Sequence, residues 1–185
     1  MQSMTVEEAR WWCKQPATHL KLTEEDMPYY ESEEEPSFVV KTPLEHRRIS
    51  ALAHDILMLS DPALFEGGLI WLYQWEIGVA ELVRPGWRII EDIRRAHGDM
   101  RSLEIAPAEL FRHDEFVELH AFLIQVMAYG WSGHFIPSVG GYFLQFTTSE
   151  RFFCKAKSGE KLQELYSALK SWTPSKESPG DAQPA

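Results

Sequence analysis

The stretch that decides the fold runs from Asp114 to Trp172 and reads DEFVELHAFLIQVMAYGWSGHFIPSVGGYFLQFTTSERFFCKAKSGEKLQELYSALKSW. In its first part, apolar side chains from Phe116 to Met127 recur at helical spacing, and Asp114 is placed to cap that helix. The apolar period then falls to two between Tyr142 and Phe146, directly after a pair of glycines. This change of period predicts a helix followed by a strand.

The same stretch ends in a second strand and a second helix. The run from Arg151 to Ala156 has an extended pattern and is predicted to pair with the preceding strand as a hairpin. Ser158 is placed to cap a helix whose apolar stripe runs from Leu162 to Trp172. The order helix, hairpin, helix therefore predicts a small antiparallel sheet with helices beside it.

The rest of the chain is predicted to be mostly helical. Phe38 to Val40 is a short strand candidate, and Arg101 to Phe111 is interpreted as a connector. Helices are predicted from Thr5 to Lys14, from Thr42 onward with Pro43 in the first turn, through the apolar run Leu69 to Trp75, and from Pro85 to Gly98.

These patterns together predict an α+β fold, a helix-rich single domain with a small antiparallel sheet near the C-terminal end flanked by helices. We expect residues 1–36 to form an N-terminal helix and an acidic arm, and residues 37–172 to form the globular domain. Residues 173–185 contain several prolines and polar residues, which predicts a disordered tail.

Charge and composition exclude several partners and compartments. The formal net charge of −10 repels phosphate backbones and anionic membrane surfaces, so we expect neither a nucleic acid nor a membrane as partner. The longest apolar run, Leu69 to Tyr73, is far shorter than the roughly 20 residues of a membrane span. There is no signal-peptide pattern, and Cys13 and Cys154 are too few for a disulfide framework. A soluble cytoplasmic protein is the expectation.

No stretch of the chain carries a recognisable catalytic motif. Gly130 to Gly133 resembles the start of a nucleophile elbow, but His134 occupies the position that needs a final glycine. His113 and His120 are two helical turns apart, without the spacing of a zinc-binding helix. We therefore predict no catalytic residue, no cofactor and no metal site.

An arginine-rich stretch is the one place where an anion could be bound. Bidentate guanidinium groups bind carboxylates and phosphates well. However, Glu91, Asp92 and Asp99 lie among these arginines, which favours a surface of internal ion pairs. The arginines are Arg84, Arg88, Arg94, Arg95 and Arg101.

An acidic arm between Thr23 and Pro36 is the strongest functional signal. It holds seven acidic residues and neither lysine nor arginine, which is typical of an exposed loop. Acidic residues around aromatic side chains also suit docking onto a basic protein surface. The candidate partner-binding residues are Glu24, Glu25, Asp26, Tyr29, Tyr30, Glu33, Glu34 and Glu35.

A pocket lined by tryptophans is the alternative site. Tryptophans on separate segments could form an apolar cleft, with arginine or histidine side chains as polar anchors. The candidate pocket residues are Trp71, Trp75, Arg84, Trp87, Arg88, Trp131 and His134.

Three functional hypotheses remain open at this point. The leading one is a non-enzymatic acidic protein that acts through contact with another, basic protein, as an inhibitor, an immunity-like protein or an adaptor. The second is a small-molecule-binding protein or enzyme that uses the tryptophan-lined pocket. The third is a homo-oligomeric structural protein.

Overall fold

One antiparallel sheet organises the protein. The computed structural model describes residues 1–15, 18, 20–31, 37–59, 66–75 and 87–173. The strands are β1 (Gln2–Met4), β2 (Lys21–Leu22), β3 (Pro28–Tyr29), β4 (Ser37–Lys41), β5 (Gly67–Gln74), β6 (Ala108–Arg112), β7 (Ser132–Pro137), β8 (Tyr142–Thr147) and β9 (Arg151–Ala156). The helices are α1 (Val6–Cys13), α2 (His46–Leu57), α3 (Trp87–Ala96), α4 (Phe116–Ala128) and α5 (Gly159–Leu169), the last continuing into a 3₁₀ turn at Lys170–Trp172.

Across the described residues, the large sheet has seven strands in the order β1-β6-β5-β7-β8-β9-β4. All its neighbouring strands are antiparallel. The strands β2 and β3 form a separate two-stranded hairpin. β5 and β7 therefore lie at the centre of the sheet, and β1 and β4 form its two edges.

Each face of the sheet is covered by a different part of the chain. On the face that we call the helix-covered face, side chains such as Ile70 and Phe135 pack with residues of α2, α4 and α5. On the opposite face, the N-terminal face, Leu69 and Phe143 pack with residues of α1 and of the segments around the β2–β3 hairpin. Both faces are buried, so the core has two layers with the sheet between them.

The predicted fold class was wrong, because the protein is sheet-dominated and not helix-rich. The run Leu69 to Trp75, predicted as a helix, forms most of β5. Alternate residues of β5 enter opposite layers, Leu69 and Trp71 on the N-terminal face, Ile70 and Leu72 on the helix-covered face. A strand buried on both faces is apolar at every position, so the period of two that marks a half-exposed strand is absent.

Two further segments are strands of the sheet, contrary to the prediction from sequence. Ala108–Arg112, interpreted as part of a connector, is β6. Ser132 to His134, interpreted as a helix-ending turn, is the first half of β7 (Ser132–Pro137). Thr42 does not start a helix, because its amide donates to the carbonyl of Glu150 and continues the β4–β9 pairing, while α2 begins at His46. The sheet is therefore assembled from the whole length of the chain.

Glycines explain how β5 fits between its neighbours. A Cβ at Gly133 on β7 would lie 2.6 Å from the carbonyl oxygen of Trp71, and one at Gly67 would lie 2.0 Å from that of Phe111. Gly67 also has a φ of +108°, a conformation that side chains disfavour. Gly67 at the start of β5 and Gly133 on β7 thus permit the close approach of neighbouring strands.

Several elements with a local signature were predicted correctly, although Asp114 does not cap α4, whose N-cap is Glu115. The capping box at Thr5, the hairpin of β8 and β9, and the Ser158 cap of α5 are all confirmed. The short strand predicted at Phe38 to Val40 is β4. The predicted tail lies outside the described residues from 174 onward.

Candidate functional site

The start of α1 is held by a complete capping box. The Thr5 hydroxyl accepts a hydrogen bond from the Glu8 amide at 3.3 Å, and the Glu8 carboxylate accepts one from the Thr5 amide at 2.7 Å. These bonds satisfy amides that a helix start leaves without partners, and they hold the pKa of Glu8 below its usual value. α1 therefore begins at a defined residue and presents a defined set of side chains to solvent.

The two sides of α1 differ in chemistry. Ala9 and Cys13 are buried in the layer beneath the N-terminal face, whereas Glu7 and Trp11, one turn apart, face solvent. Trp11 is 66% exposed. Tryptophan is on average one of the more buried residue types, so a ring displayed on a fixed helix is a candidate contact point.

The turn between β2 and β3 is tied to α1 by an ion pair. The Arg10 guanidinium donates to both carboxylate oxygens of Asp26, each at 2.5 Å, and this carboxylate raises the pKa of Arg10. Such a bidentate pair fixes orientation as well as distance. It holds the exposed residues Glu24 and Glu25 of the same turn beside α1.

We call Glu7, Trp11, Glu24 and Glu25 together the Trp11 surface. All four are exposed, and no described residue pairs with any of these carboxylates. Lys14, one turn beyond Trp11, is also exposed. The surface combines one large apolar ring with a surplus of negative charge.

The predicted acidic arm is partly folded. Tyr30 is 4% exposed and its ring centroid lies 5.7 Å from that of Phe143 on the sheet, so this tyrosine belongs to the core. Of the other predicted partner-binding residues, Glu24 and Glu25 are exposed and Asp26 is paired with Arg10. Tyr29 is half-buried in β3. Glu33, Glu34 and Glu35 lie outside the described residues.

Sequence reasoning missed Trp11. The signal was present in α1, where Ala9 and Cys13 alternate around the helix with Glu7 and Trp11. The sequence does not show which of the two adjacent tryptophans faces the core. In the structure Trp12 is half-buried and packs with the core, whereas Trp11 does not. Only the position of the sheet decides which tryptophan turns inward.

The predicted tryptophan pocket is divided by the sheet. Trp71 is buried on the N-terminal face, whereas Trp75 and Trp131 pack with the core on the helix-covered face. Trp131 is also stacked on Tyr129, with ring centroids 5.5 Å apart. Arg84 lies outside the described residues, as does the side chain of Trp87, and Arg88 is exposed on α3. The structure does not bring Trp71, Trp75 and Trp131 to one cavity.

His134 pairs across strands with Trp71 and is 2% exposed. Its ring lies 5.3 Å from the Tyr73 ring and 5.9 Å from the Phe143 ring. Burial, assisted by the positive charge of Lys155, lowers the pKa of His134 to about 3. Among the described residues, no hydrogen-bond partner reaches its Nε2. A neutral, enclosed imidazole is unsuited to anchor a charged ligand.

The arginine-rich stretch is used largely for internal pairing, as predicted. Arg95 pairs with Glu91 and Asp92, and Arg101 pairs with Asp99 at 2.6 Å. Arg94 instead turns into the protein. Arg94, Asp99 and Arg101 lie at a cavity of about 480 Å³ that β1, His97 and Arg112 also line. Two of the arginines that line the cavity are neutralised in place, Arg94 by Glu109 and Arg101 by Asp99.

Metal and membrane sites are likewise not indicated by the part of the chain that the structure describes. No group of three or more His, Cys, Asp or Glu side chains there is arranged to hold a metal ion. His120, considered above as a metal ligand, places its Nε2 3.0 Å from the carbonyl oxygen of Ser50. Across the described residues, no helix has the length and apolarity needed to cross a membrane.

The fold and the Trp11 surface define a mixed α+β protein with one central antiparallel sheet and an acidic N-terminal surface. No family model, curated protein or solved structure matches the chain. Its function must therefore be inferred from its own residues.

Proposed function

We propose that the protein is a non-enzymatic binding protein that docks a basic protein partner on the Trp11 surface, as an inhibitor, an immunity-like protein or an adaptor would. The observation that carries the proposal is Trp11, exposed on a capped helix one turn from the exposed Glu7. Tryptophan is enriched among the few residues that supply most of the binding energy of an interface.

The rigidity of the surface supports binding. α1 is capped by Thr5 and Glu8, is anchored by the buried Ala9 and Cys13, and is joined to the neighbouring turn through Arg10. A side chain presented on a fixed element loses little conformational freedom on binding, which favours affinity.

Charge supports a basic partner. Residues 1–36 hold nine acidic and three basic residues, so their formal charge of −6 is more than half of the total of −10. A concentrated negative charge accelerates encounter with a positive surface and disfavours acidic partners. Three of these nine acidic residues form the run Glu33 to Glu35.

The competing pocket hypothesis finds less support in the described residues. Its tryptophans lie on opposite faces of the sheet, and His134 is buried in a neutral form. A ligand site needs polar groups that converge on one space. These placements favour the surface over the pocket as the functional region.

The test is affinity capture from native lysate followed by binding measurements on the purified partner. Trp11→Ala should weaken the affinity by about 30-fold or more, the range of an interface hot spot. The matched control is Val117→Ala on α4, because Val117 is 75% exposed and lies outside the Trp11 surface. This control should bind like the wild type.

Charge is tested separately from the ring. The triple variant Glu7→Gln, Glu24→Gln, Glu25→Gln should slow association, most clearly at low ionic strength, with little change in dissociation rate. Glu8 is left intact because it caps α1. A partner that binds all variants with wild-type affinity would show that the Trp11 surface is not the binding site.

A further inference from the structure

β4 is an edge strand whose outer side can be assigned residue by residue. In an antiparallel pair, residues alternate between those whose amide and carbonyl point to the neighbour and those whose groups point away. The Thr42 amide donates to the Glu150 carbonyl at 2.9 Å, so the backbone groups of Thr42 point toward β9 and every second residue before it does the same. Val40 and Phe38, in register with Phe152 and Cys154, then also point toward β9.

It follows that Ser37, Val39 and Lys41 point their amides and carbonyls away from the sheet. Within the described part of the chain, no hydrogen bond reaches these outward groups. β4 itself is well anchored, since Val40 is fully buried and the Phe38 ring lies edge-on to that of Tyr166 at 5.4 Å. A fixed row of unpaired backbone groups is a template for another strand.

The other edge of the sheet does not offer the same template. β1 has only three residues, and the carbonyl of Ser3 already accepts a hydrogen bond from Arg101 at 2.8 Å. β4 is longer, at five residues. Edge pairing is therefore favoured at β4.

We propose that β4 pairs antiparallel with β4 of a second copy of this chain, about a two-fold axis at Val39. This pairing places Ser37 opposite Lys41 of the other copy, and all three outward residues of each strand then meet outward residues of the other. An axis at Val39 is the two-fold register in which all three outward residues of both strands are paired.

Side-chain chemistry favours a second copy as the occupant. Lysine on an edge strand normally opposes strand addition. In the symmetric register, however, Lys41 faces the Ser37 hydroxyl and not a second Lys41, so like charges are not opposed. Val39, which is half-buried, meets Val39 of the other copy, so an apolar pair lies at the centre of the register. The result is a continuous sheet across two molecules.

Sedimentation over a range of concentrations tests the proposal on the full chain, with two opposite changes at Ser37. Ser37 is exposed and lies in register with Lys155 of the same chain, so circular dichroism and the melting temperature of each variant are measured alongside to separate an effect on the fold from one on the dimer. Ser37→Glu places a carboxylate opposite Lys41 at both ends of the pair and should tighten the dimer by roughly fivefold. Ser37→Lys places like charges there and should weaken it by at least as much.

A backbone change gives an independent readout. Val39→Pro removes an outward amide, and proline is tolerated on an edge strand when its nitrogen faces away from the sheet. The variant should remain folded by circular dichroism but sediment as a monomer, whereas Val39→Thr should still dimerise. Trp11→Ala serves as the control for the other surface and should leave self-association unchanged.

A wild-type chain that sediments as a monomer at all concentrations overturns the proposal. A dimer that responds to neither Ser37 variant, or that persists in folded Val39→Pro, also overturns it, because its contact then lies elsewhere. Neither result bears on the Trp11 surface, whose test uses a different partner and different variants.

Discussion

At the scale of single residues, His134 has the clearest measurable consequence. It lies in β7, in the middle of the sheet, and is enclosed by aromatic rings. The ordinary pKa of histidine is 6.5, and burial lowers that of His134 to about 3. The folded protein therefore excludes a proton that the unfolded chain accepts.

Replacing His134 by phenylalanine should reduce the acid sensitivity of folding. Between pH 6.5 and about pH 3, His134 binds a proton in the unfolded chain but not in the folded protein. Its contribution to the free energy of unfolding is therefore fully present above pH 6.5 and is lost as the pH falls toward 3. The wild type should lose up to about 1.4 kcal/mol more per pH unit than the variant. Urea unfolding at pH 7 and pH 5 measures the difference.

The control for this experiment is His46→Gln on α2. His46 is exposed, so the variant should keep the pH dependence of the wild type. If His134→Phe and the wild type lose stability in parallel between these pH values, the buried imidazole is not the source of the acid sensitivity.

At the scale of elements, α3 is held to the sheet by one buried ion pair. The Arg94 and Glu109 side chains are 0% and 1% exposed and contact each other directly. Arg94 also donates to the carbonyl of Ala106 at 2.5 Å. Burial raises the pKa of Glu109, an effect that the Arg94 guanidinium opposes.

Removing one member of this pair should be strongly destabilising. Arg94→Met leaves the Glu109 carboxylate buried without its cation, which is expected to cost about 3–5 kcal/mol. The double variant Arg94→Met, Glu109→Leu should recover much of that loss, since no charge then remains buried. Denaturant unfolding of the single and double variants measures the coupling; additive losses would mean that the two side chains act independently.

At the scale of the whole molecule, the N-terminal segment completes the core. β1 pairs with β6, and Leu20 and Tyr30 pack in the same layer as Trp71 and Ile136 of the sheet. Without this segment, the buried apolar side chains of that face would meet water. The described part of residues 1–31 therefore shares its core with the sheet and is not an arm attached to a separate domain.

Deletion of residues 1–36 should therefore not leave a stable globular unit of residues 37–172. We expect the truncated chain to lose its cooperative thermal transition, measured by near-ultraviolet circular dichroism and calorimetry. Trp11→Ala in the full chain is the control, because its exposed ring contributes little to the core, and should melt like the wild type. A cooperative transition in the truncated chain would support the division at residue 36 that the sequence predicts.

The candidate binding surface could be predicted only in part from the sequence. The acidic character of residues 24–35 is evident from composition, and Glu24 and Glu25 are indeed exposed. Tyr30 was grouped with them but packs on Phe143, and Trp11 was not considered although it is the most exposed tryptophan among the described residues. Composition reports the charge of a segment, whereas the sheet decides which of its aromatic rings are covered.

The sequence by itself determined the elements whose stabilising groups are close together in the chain. The capping box of Thr5 and Glu8, the Ser158 cap and the hairpin of β8 and β9 each depend on residues a few positions apart, so their patterns are local. The tertiary structure alone decided that β5, β6 and β7 are strands. These central strands are satisfied by distant neighbours and covered on both faces, so nothing in their own order of residues distinguishes them from buried helix or connector.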